Sequence, residues 1–330
     1  MNEIEGYAWT SDRFGSPDEV LFYEARTWTT PPDGAVLVEV AAAGVGLPDL
    51  FMLKGSYPLV PNPPVTPGQE VCGTVVATAS GSRFSLGDRI FGPTHFYAGS
   101  GGFATHAYVT DRVASVAPEG LSNEEAAGFY VGFRTAYTAL VTRTNLVAGE
   151  TVLVLGGSGS TGAAAISLAK ALGARVLAVA SSDTKREFCV NIGADVVIDR
   201  DSDAIRSEVA EHTGGQGCDV VIDPVGGEIA SAAMEVVARY GRFATIGFAS
   251  GSWVTVNPIE LVMRNISVVG VLAAGFSADE DAAHNAELCR MAADGDISVP
   301  IGRVANLDEV PAVIASLESG APPGKLVVRA

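Results

Sequence analysis

The sequence predicts an α/β protein in two parts: a β-rich, barrel-like module, followed by a doubly wound unit built on a parallel sheet. Three observations predict it. Short strand patterns separated by Gly and Pro turns, with almost no helical period, fill roughly the first 120 residues. From Thr151 onward, strands alternate with helical stretches of about ten residues, the pattern of a parallel sheet covered on both faces. The first of those strands, Thr151–Leu155, runs straight into Gly156-Gly157-Ser158-Gly159-Ser160-Thr161-Gly162 and an Ala-rich helical stretch.

In order, Phe14-Gly15-Ser16-Pro17 and Pro31-Pro32-Asp33-Gly34 read as turns, and Ala35–Ala43 as a strong strand. Residues 44–57 read as loop and short helix. The cluster Pro61, Pro63, Pro64 and Pro67 is irregular backbone leading into Gly68-Gln69-Glu70. Val71–Thr78 is a strand, Gly87–Phe91 a turn and strand, and Gly101–Val109 a further short strand region. Near residue 123 the period changes, and Asn123–Thr142 reads as one or two helices with Ser122 as N-cap. The strands Thr151–Leu155, Arg175–Ala180, Ala194–Ile198, Cys218–Ile222 and Arg242–Ile246 then alternate with helices Thr161–Leu172, Asp183–Ile192, Asp203–Glu211 and Ile229–Val237. Leu261–Leu272 closes the unit. Helices Glu280–Asp294 and Leu307–Ser319 and a strand Lys325–Val328 end the chain.

The glycine-rich turn carries the clearest chemistry. Gly157, Gly159 and Gly162 form G-x-G-x-x-G between strand and helix. The first glycine permits the tight turn, the second lets backbone approach a pyrophosphate, and the third lets helix pack on strand, with the helix N-terminus facing the phosphates. The turn also contains G-x-S-x-G, which a hydrolase would use as a nucleophile elbow. That reading needs a base and an acid further on, and His212 and His284 lie in polar helices.

The end of the second strand decides the dinucleotide. An NAD site places a carboxylate there, about 20 residues past the fingerprint. Ser181 and Ser182 stand there instead, and Asp183 is expected to cap the next helix. Lys185, Arg186 and Arg200 supply positive charge, so a 2′-phosphate and NADPH are expected. Gly247 and Ser250 follow the fifth strand and are expected to line the cofactor groove by backbone contacts. Asp223 ends the fourth and either lines the same crevice or caps the helix beginning near Gly227.

Composition narrows the class. With 38 acidic against 21 basic residues the formal charge is −17, which argues against a nucleic-acid partner. No apolar run reaches the roughly 18 residues of a membrane helix. Cys72, Cys189, Cys218 and Cys289 show no paired spacing, and Met1–Glu5 has neither the basic nor the apolar region of a signal peptide, so a reduced, cytoplasmic setting is expected. Neither H-x-x-H nor C-x-x-C occurs, so no metal is expected. Tyr57, in a loop between proline-rich stretches, is either an active-site hydroxyl that could hydrogen-bond a carbonyl or a packed aromatic. Tyr130 and Arg134 lie on the helix where the two modules meet.

With these pieces the chain resembles the medium-chain dehydrogenase/reductase superfamily, and within it the zinc-independent quinone oxidoreductase branch, the zeta-crystallin-like enzymes. The resemblance rests on Phe14-Gly15-x-Pro17 with Leu21, Gly44-Val45 through Gly55-x-Tyr57, Pro67-Gly68-x-Glu70 with Gly73, Gly87-Asp88-Arg89-Ile90, and Gly101-Gly102-Phe103-Ala104. It continues through Thr135-Ala136-Tyr137, Gly149–Val154, Gly193-Ala194-Asp195, Asp223-Pro224-Val225-Gly226-Gly227 and Gly324–Val328. It implies a GroES-like catalytic domain (1–124, resumed at 273–330) split around a Rossmann NADPH-binding domain (125–272), with the active site in the cleft between them. It also implies a homodimer paired through the edge strand Asn265–Leu272.

Zinc-dependent members have a cysteine where Gly46 stands and a His-Glu pair where Gln69-Glu70 stands, so zinc is expected to be absent. The branch often has Asn at the position of Gly46 and Tyr at that of Phe51. These departures, with Ser167 in the fingerprint helix, point to a bulkier, more apolar substrate. The activity implied is NADPH-dependent reduction of a quinone or an α,β-unsaturated carbonyl compound. The alternatives are an enoyl-thioester reductase of the same superfamily and a non-catalytic NADPH-binding protein. The expected catalytic residue is Tyr57, and the expected substrate pocket is Gly46, Phe51, Tyr130 and Arg134. The expected cofactor set is Thr135, Gly157, Ser158, Gly159, Ser160, Thr161, Gly162, Ser181, Ser182, Lys185, Arg200, Gly247, Ser250 and Leu272.

Overall fold

A computed structural model describes residues 3–60 and 62–330; of the sequence features above, Met1, Asn2 and Pro61 lie outside the described residues. The chain divides into two compact units. One runs to Val131 and resumes over Phe276–Gly295 and Val299–Ala330; the other is Gly132–Gly275 with Asp296–Ser298. The first is β-rich and the second a doubly wound parallel sheet, the α/β class the sequence predicts.

The elements of the first part are β1 (Ile4–Thr10), α1 (Pro17–Val20), β2 (Phe22–Trp28), β3 (Ala35–Val45), α2 (Leu47–Leu53), β4 (Glu70–Thr78), β5 (Arg89–Pro93), β6 (His106–Thr110), β7 (Ser115–Val116) and α3 (Asn123–Ala127). Ser122 caps α3, accepting from Glu125 N while the Glu125 carboxylate reaches back to Ser122 N, the reciprocal pair that closes a helix start. Next come α4 (Tyr130–Tyr137), a π-helical segment Thr138–Arg143, β8 (Thr151–Val154), α5 (Ser160–Ala171), β9 (Arg175–Ala180), α6 (Asp183–Asn191), β10 (Val196–Asp199), α7 (Ser202–His212), β11 (Cys218–Asp223), α8 (Gly227–Glu235), β12 (Val237–Thr245), α9 (Pro258–Arg264) and β13 (Ser267–Gly270). The tail carries α10 (Ala278–Ala293), β14 (Ile301–Asn306), α11 (Val310–Ser319) and β15 (Lys325–Arg329).

In the β-rich unit one sheet runs β14-β15-β3-β4-β5-β7, with β6 also on β3. Strand β15 lies antiparallel to β3, pairing Leu326 with Val45 and Val328 with Ala43. The core behind this sheet gathers Val36, Val38, Val71, Ile90, Phe103 and Val328, with Tyr57 packed on its margin. The expected strand over Gly101–Val109 forms only from His106. The reason is local: a Cβ at Gly101 would lie 2.1 Å from Pro67 O, and Gly102 N donates to Gly68 O at 2.8 Å. This segment is pressed onto the Pro67–Gly68 backbone and cannot also ladder.

The second unit holds a six-stranded sheet in the order β10-β9-β8-β11-β12-β13, parallel throughout. Its central strands read as unbroken apolar runs because helices cover both faces; Val152, Leu153, Val154, Val220, Val221 and Ile222 are all fully buried. The chain winds outward from β8 to β10, then returns to β11 beside β8. The carboxyl ends of β8 and β11 therefore flank the switch point where such sheets bind ligands. Most boundaries shift by a residue or two from the sequence reading, and the larger difference lies at α8 and β12. Helix α8 ends at Glu235, and β12 starts at Val237, five residues before the expected Arg242. Between the pairs Cys218–Val237 and Val220–Arg242 the register shifts, and Tyr240 in that stretch has φ of 66°. The bulge hid the first half of the strand. Among the described residues no helix is long and apolar enough to cross a membrane.

Candidate functional site

The glycine turn of the parallel-sheet unit separates three glycines that look alike in sequence. A Cβ at Gly157 would meet Ile166 Cδ1 at 3.0 Å and Ala178 Cβ at 3.1 Å, and one at Gly162 would meet Gly156 O at 2.2 Å. Gly162 is required by backbone packing within the protein, and Gly157 sits tightly against side chains of the same unit. At Gly159 the nearest atom would be 3.5 Å away, and its φ of −81° suits any residue. Its bareness is not needed by the fold; it leaves backbone open on the outside. Gly159 is also the N-cap of α5 and gives no side-chain hydrogen bond, and no acidic residue sits in the first turn. The first N–H groups of a twelve-residue helix are thus left to an outside acceptor, the donor set an anionic pyrophosphate fits. Ser158, Ser160 and Thr161 are half-buried around the turn. Helix α4 approaches at Gly132, where a Cβ would lie 3.3 Å from Ser160 Oγ, and half-buried Thr135 follows three residues on.

At the end of β9, Ser181 and Ser182 are exposed. The cap of α6 is Ser182, whose Oγ accepts from Lys185 N at 3.4 Å. Asp183, expected to cap, lies inside the first turn and pairs with Arg186 at 2.8 Å. Arg186 also pairs with Asp199 at 2.5 Å, so its charge is engaged. Among the described residues neither Lys185 nor Arg200 makes an ion pair. The register Asp199–Ala180 across β10 and β9 sets exposed Arg200 beside Ser181. Two hydroxyls and two unengaged cations gather at one sheet end.

Asp223 is fully buried. Its Oδ1 accepts from Val225 N at 2.9 Å and Gly226 N at 2.8 Å. It therefore folds the loop before α8, whose N-cap is Gly226, and does not cap that helix. Gly247 N donates to Asp223 O at 3.3 Å and Ser250 N to Val225 O at 2.9 Å, so both backbone donors are held by this loop. Leu272, two residues past β13, is 66% exposed.

The β-rich unit holds a second cluster. Gln69 Nε2 donates to the Tyr57 hydroxyl at 2.8 Å. Since the amide occupies an acceptor position on the phenol, the Tyr57 proton stays available to an outside acceptor. Burial pushes the Tyr57 hydroxyl above its ordinary pKa, opposed by the Gln69 bond, so it is a neutral donor across the physiological range. The Gln69 backbone is fixed from both sides. Asp49, fully buried, accepts from Gly68 N at 2.7 Å and Gly46 N at 2.8 Å, and burial raises its carboxyl to about 6. Glu70 accepts from Lys325 Nζ at 2.5 Å and Val131 N at 2.7 Å. A Cβ at Gly46 would lie 4.0 Å from Lys325 Nζ. Phe51 is half-buried and Tyr130 buried in this unit; Arg134, 1% exposed, belongs to the other.

These residues do not suit a metal. Gly46 offers no donor, the Gln69 amide is on Tyr57, and the Glu70 carboxylate is on Lys325. Among the described residues no group of three or more His, Cys, Asp or Glu is placed to hold an ion. The sequence reading missed Asp49 and Lys325, and treated Gln69 only as a missing ligand. Asp49 was findable: an acid three residues after a helix start commonly reaches back to the N-cap N–H.

Residues 32–119 match the alcohol dehydrogenase GroES-like domain family, and residues 160–287 the family described as zinc-binding dehydrogenase. The chain is 33% identical over 238 residues to quinone oxidoreductase-like protein 2 of Mus musculus, covering 72% of this chain and 67% of that one. It is 29% identical over 259 residues to quinone oxidoreductase of Homo sapiens, covering 78% and 77%. Among solved structures, a mycobacterial protein in complex with NADPH superposes with a TM-score of 0.91 at 28% identity, over 98% of this chain and 100% of that one.

Proposed function

Because this chain belongs to the zeta-crystallin-like quinone oxidoreductase branch of the medium-chain dehydrogenase/reductase superfamily, we propose that it is an NADPH-dependent enzyme that reduces a quinone or an α,β-unsaturated carbonyl compound without zinc. The observation that carries this reading is the Gln69–Tyr57 pair. Where a metal-dependent relative would place ligands, this chain places a half-buried phenol oriented so that its proton faces away from its own partner.

Bound NADPH supplies the hydride from its nicotinamide C4. The chain's own residues do the rest. The Gly159 backbone and the first turn of α5 hold the pyrophosphate. Ser181, Ser182, Lys185 and Arg200 receive the 2′-phosphate, and Arg200, as a guanidinium, can do so through two parallel bonds. Tyr57 donates a hydrogen bond to the substrate carbonyl oxygen as negative charge develops there. Gly46 and Phe51 put no polar side-chain group at their positions, which favours a bulky, apolar enone over a small quinone.

A homodimer completes the proposal. Among the described residues strand β13 pairs only with β12, and it ends the sheet. The helix that precedes it, α9, buries none of its residues, and Ile259, Val262 and Met263 are 63%, 72% and 71% exposed. An apolar helix face next to an open strand edge is what a two-fold edge pairing would cover.

The test is NADPH oxidation against a panel of quinones, enones and an enoyl-thioester, with NADH in parallel. Turnover of an enone or quinone with NADPH at least tenfold preferred is expected. Equal use of NADH would refute the cofactor assignment. Tight NADPH binding with no turnover across the panel would refute the enzyme reading in favour of a binding protein, and turnover of the thioester alone would move the substrate class.

A further inference from the structure

We propose that Asp223 is a positioning residue that couples dinucleotide binding to the uptake of one proton. The inference rests on the dinucleotide reading above and goes beyond it. Asp223 Oδ2 is buried without a hydrogen-bond partner, and so is Thr245 Oγ1. The two residues are paired across β11 and β12, so their side chains leave the same face of neighbouring parallel strands. Unpartnered buried oxygens are rare and costly, and here two of them stand together beside the switch point.

Asp223 also organises the crevice floor. Its Oδ1 takes the N–H groups of Val225 and Gly226. Val225 abuts the fingerprint turn, since a Cβ at Gly156 would lie 2.9 Å from Val225 Cγ2, and Val225 O holds Ser250 N at 2.9 Å. One carboxyl thus ties the β8, β11 and β12 ends together.

Among the described residues no charged group offsets its burial. Its neighbours are Leu155 and Gly156 after β8, Thr245, Ile246 and Gly247 at the end of β12, and Val225 and Gly226 in its own loop; Glu228 on α8 is exposed. Burial alone raises the carboxyl to about 6, against the two N–H bonds. Negative charge arriving at the adjoining turn disfavours the carboxylate further. The protonated acid keeps Oδ1 for the loop and removes the cost of a buried carboxylate oxygen that has no donor at Oδ2. Binding therefore tightens as pH falls toward 6, with tenfold in Kd for each unit by which the bound anion raises the carboxyl.

The experiment is calorimetric titration of the intact chain with NADPH at pH 7, in buffers of different ionisation enthalpy, for wild type and Asp223→Asn. The amide keeps the Oδ1 acceptor and places a permanent donor where the acid's proton would be. Proton uptake larger in wild type than in D223N is expected, together with an NADH Kd that tightens from pH 8 to pH 6 in wild type and stays level in D223N. The NADPH 2′-phosphate itself titrates near 6, but identically with both proteins. Should D223N fail to fold, wild type titrated with NADH, which carries the pyrophosphate without the 2′-phosphate, must still take up protons. Equal uptake in both proteins, or none with NADH, overturns the inference while leaving the dinucleotide reading intact. Failure of either dinucleotide to bind overturns both.

Discussion

The three glycines of the fingerprint should respond to alanine in different ways, because the structure gives them different work. At Gly162 an added Cβ would stand 2.2 Å from Gly156 O and 2.9 Å from Gly157 Cα. Both obstacles are backbone, so relief requires the turn itself to move. Overpacking of this kind costs about 1–3 kcal/mol or more, and G162A is expected to lower the urea midpoint and lose NADPH binding together. At Gly159 the nearest atom would be 3.5 Å away and φ is −81°. Alanine there reduces the freedom of the unfolded chain by about 0.4–1 kcal/mol and replaces a tolerated N-cap with a poorer one, at a cost of up to about 1 kcal/mol. The two nearly cancel, so G159A should unfold within about 1 kcal/mol of wild type. Its methyl group would nevertheless occupy the approach to the first N–H groups of α5. Losing charge-assisted hydrogen bonds worth about 1.5–3 kcal/mol weakens NADPH roughly tenfold to a hundredfold. Urea unfolding and fluorescence titration with NADPH measure the two quantities separately. A G159A protein that binds NADPH like wild type would falsify the assignment of this turn as the pyrophosphate cradle.

Four further outcomes follow from the geometry. Tyr57→Phe should lower kcat by roughly tenfold to a hundredfold with the NADPH Kd unchanged, and Gln69→Leu should lower it less; stopped-flow reduction of an enone distinguishes them, and a Y57F rate equal to wild type removes Tyr57 from the chemistry. Arg200→Ala should weaken NADPH by about tenfold while sparing NADH, whereas Ser181→Asp should invert the preference; parallel titrations decide. Placing two charges on the α9 face, Val262→Asp with Met263→Asp, should convert a dimer to monomer by light scattering with little change in helical content, and an unchanged mass would refute the edge pairing. Finally, Asp49 and Asp223 both sit at about 6, raised from 3.8 by burial. At these two sites the native state therefore holds protons that the unfolded chain has released, so their contribution to stability falls as pH rises from about 4 to about 6 and is level above that. D223N should remove one share of the slope, at most roughly 3 kcal/mol, and a urea midpoint with the same pH dependence as wild type would contradict it.

What the sequence made legible was what local pattern controls. Strand β9 was read to the residue because Arg175–Ala180 is a β-prone run between a Gly turn and a Ser-Ser helix start, and the fingerprint was read because three glycines at fixed spacing are themselves the signal. The failures are tertiary. Arg186 looked as available as Lys185 until Asp199, thirteen residues on, was found to hold it. Asp223 looked like a cap because carboxylates before helices usually are, and only the fold shows its second oxygen buried beside Thr245. Above all, Gln69 was read for the ligand it is not. Its orientation depends on Tyr57, twelve residues back, and on a lysine 255 positions from its neighbour Glu70. Lys325 lies in a strand that pairs with β3 only when the end of the chain folds back onto its beginning. No periodicity encodes that closure. It is nonetheless what fixes Glu70, and through Glu70 the backbone from which Gln69 reaches the phenol, so the contact that orients the proposed proton donor is the one that least resembles a motif.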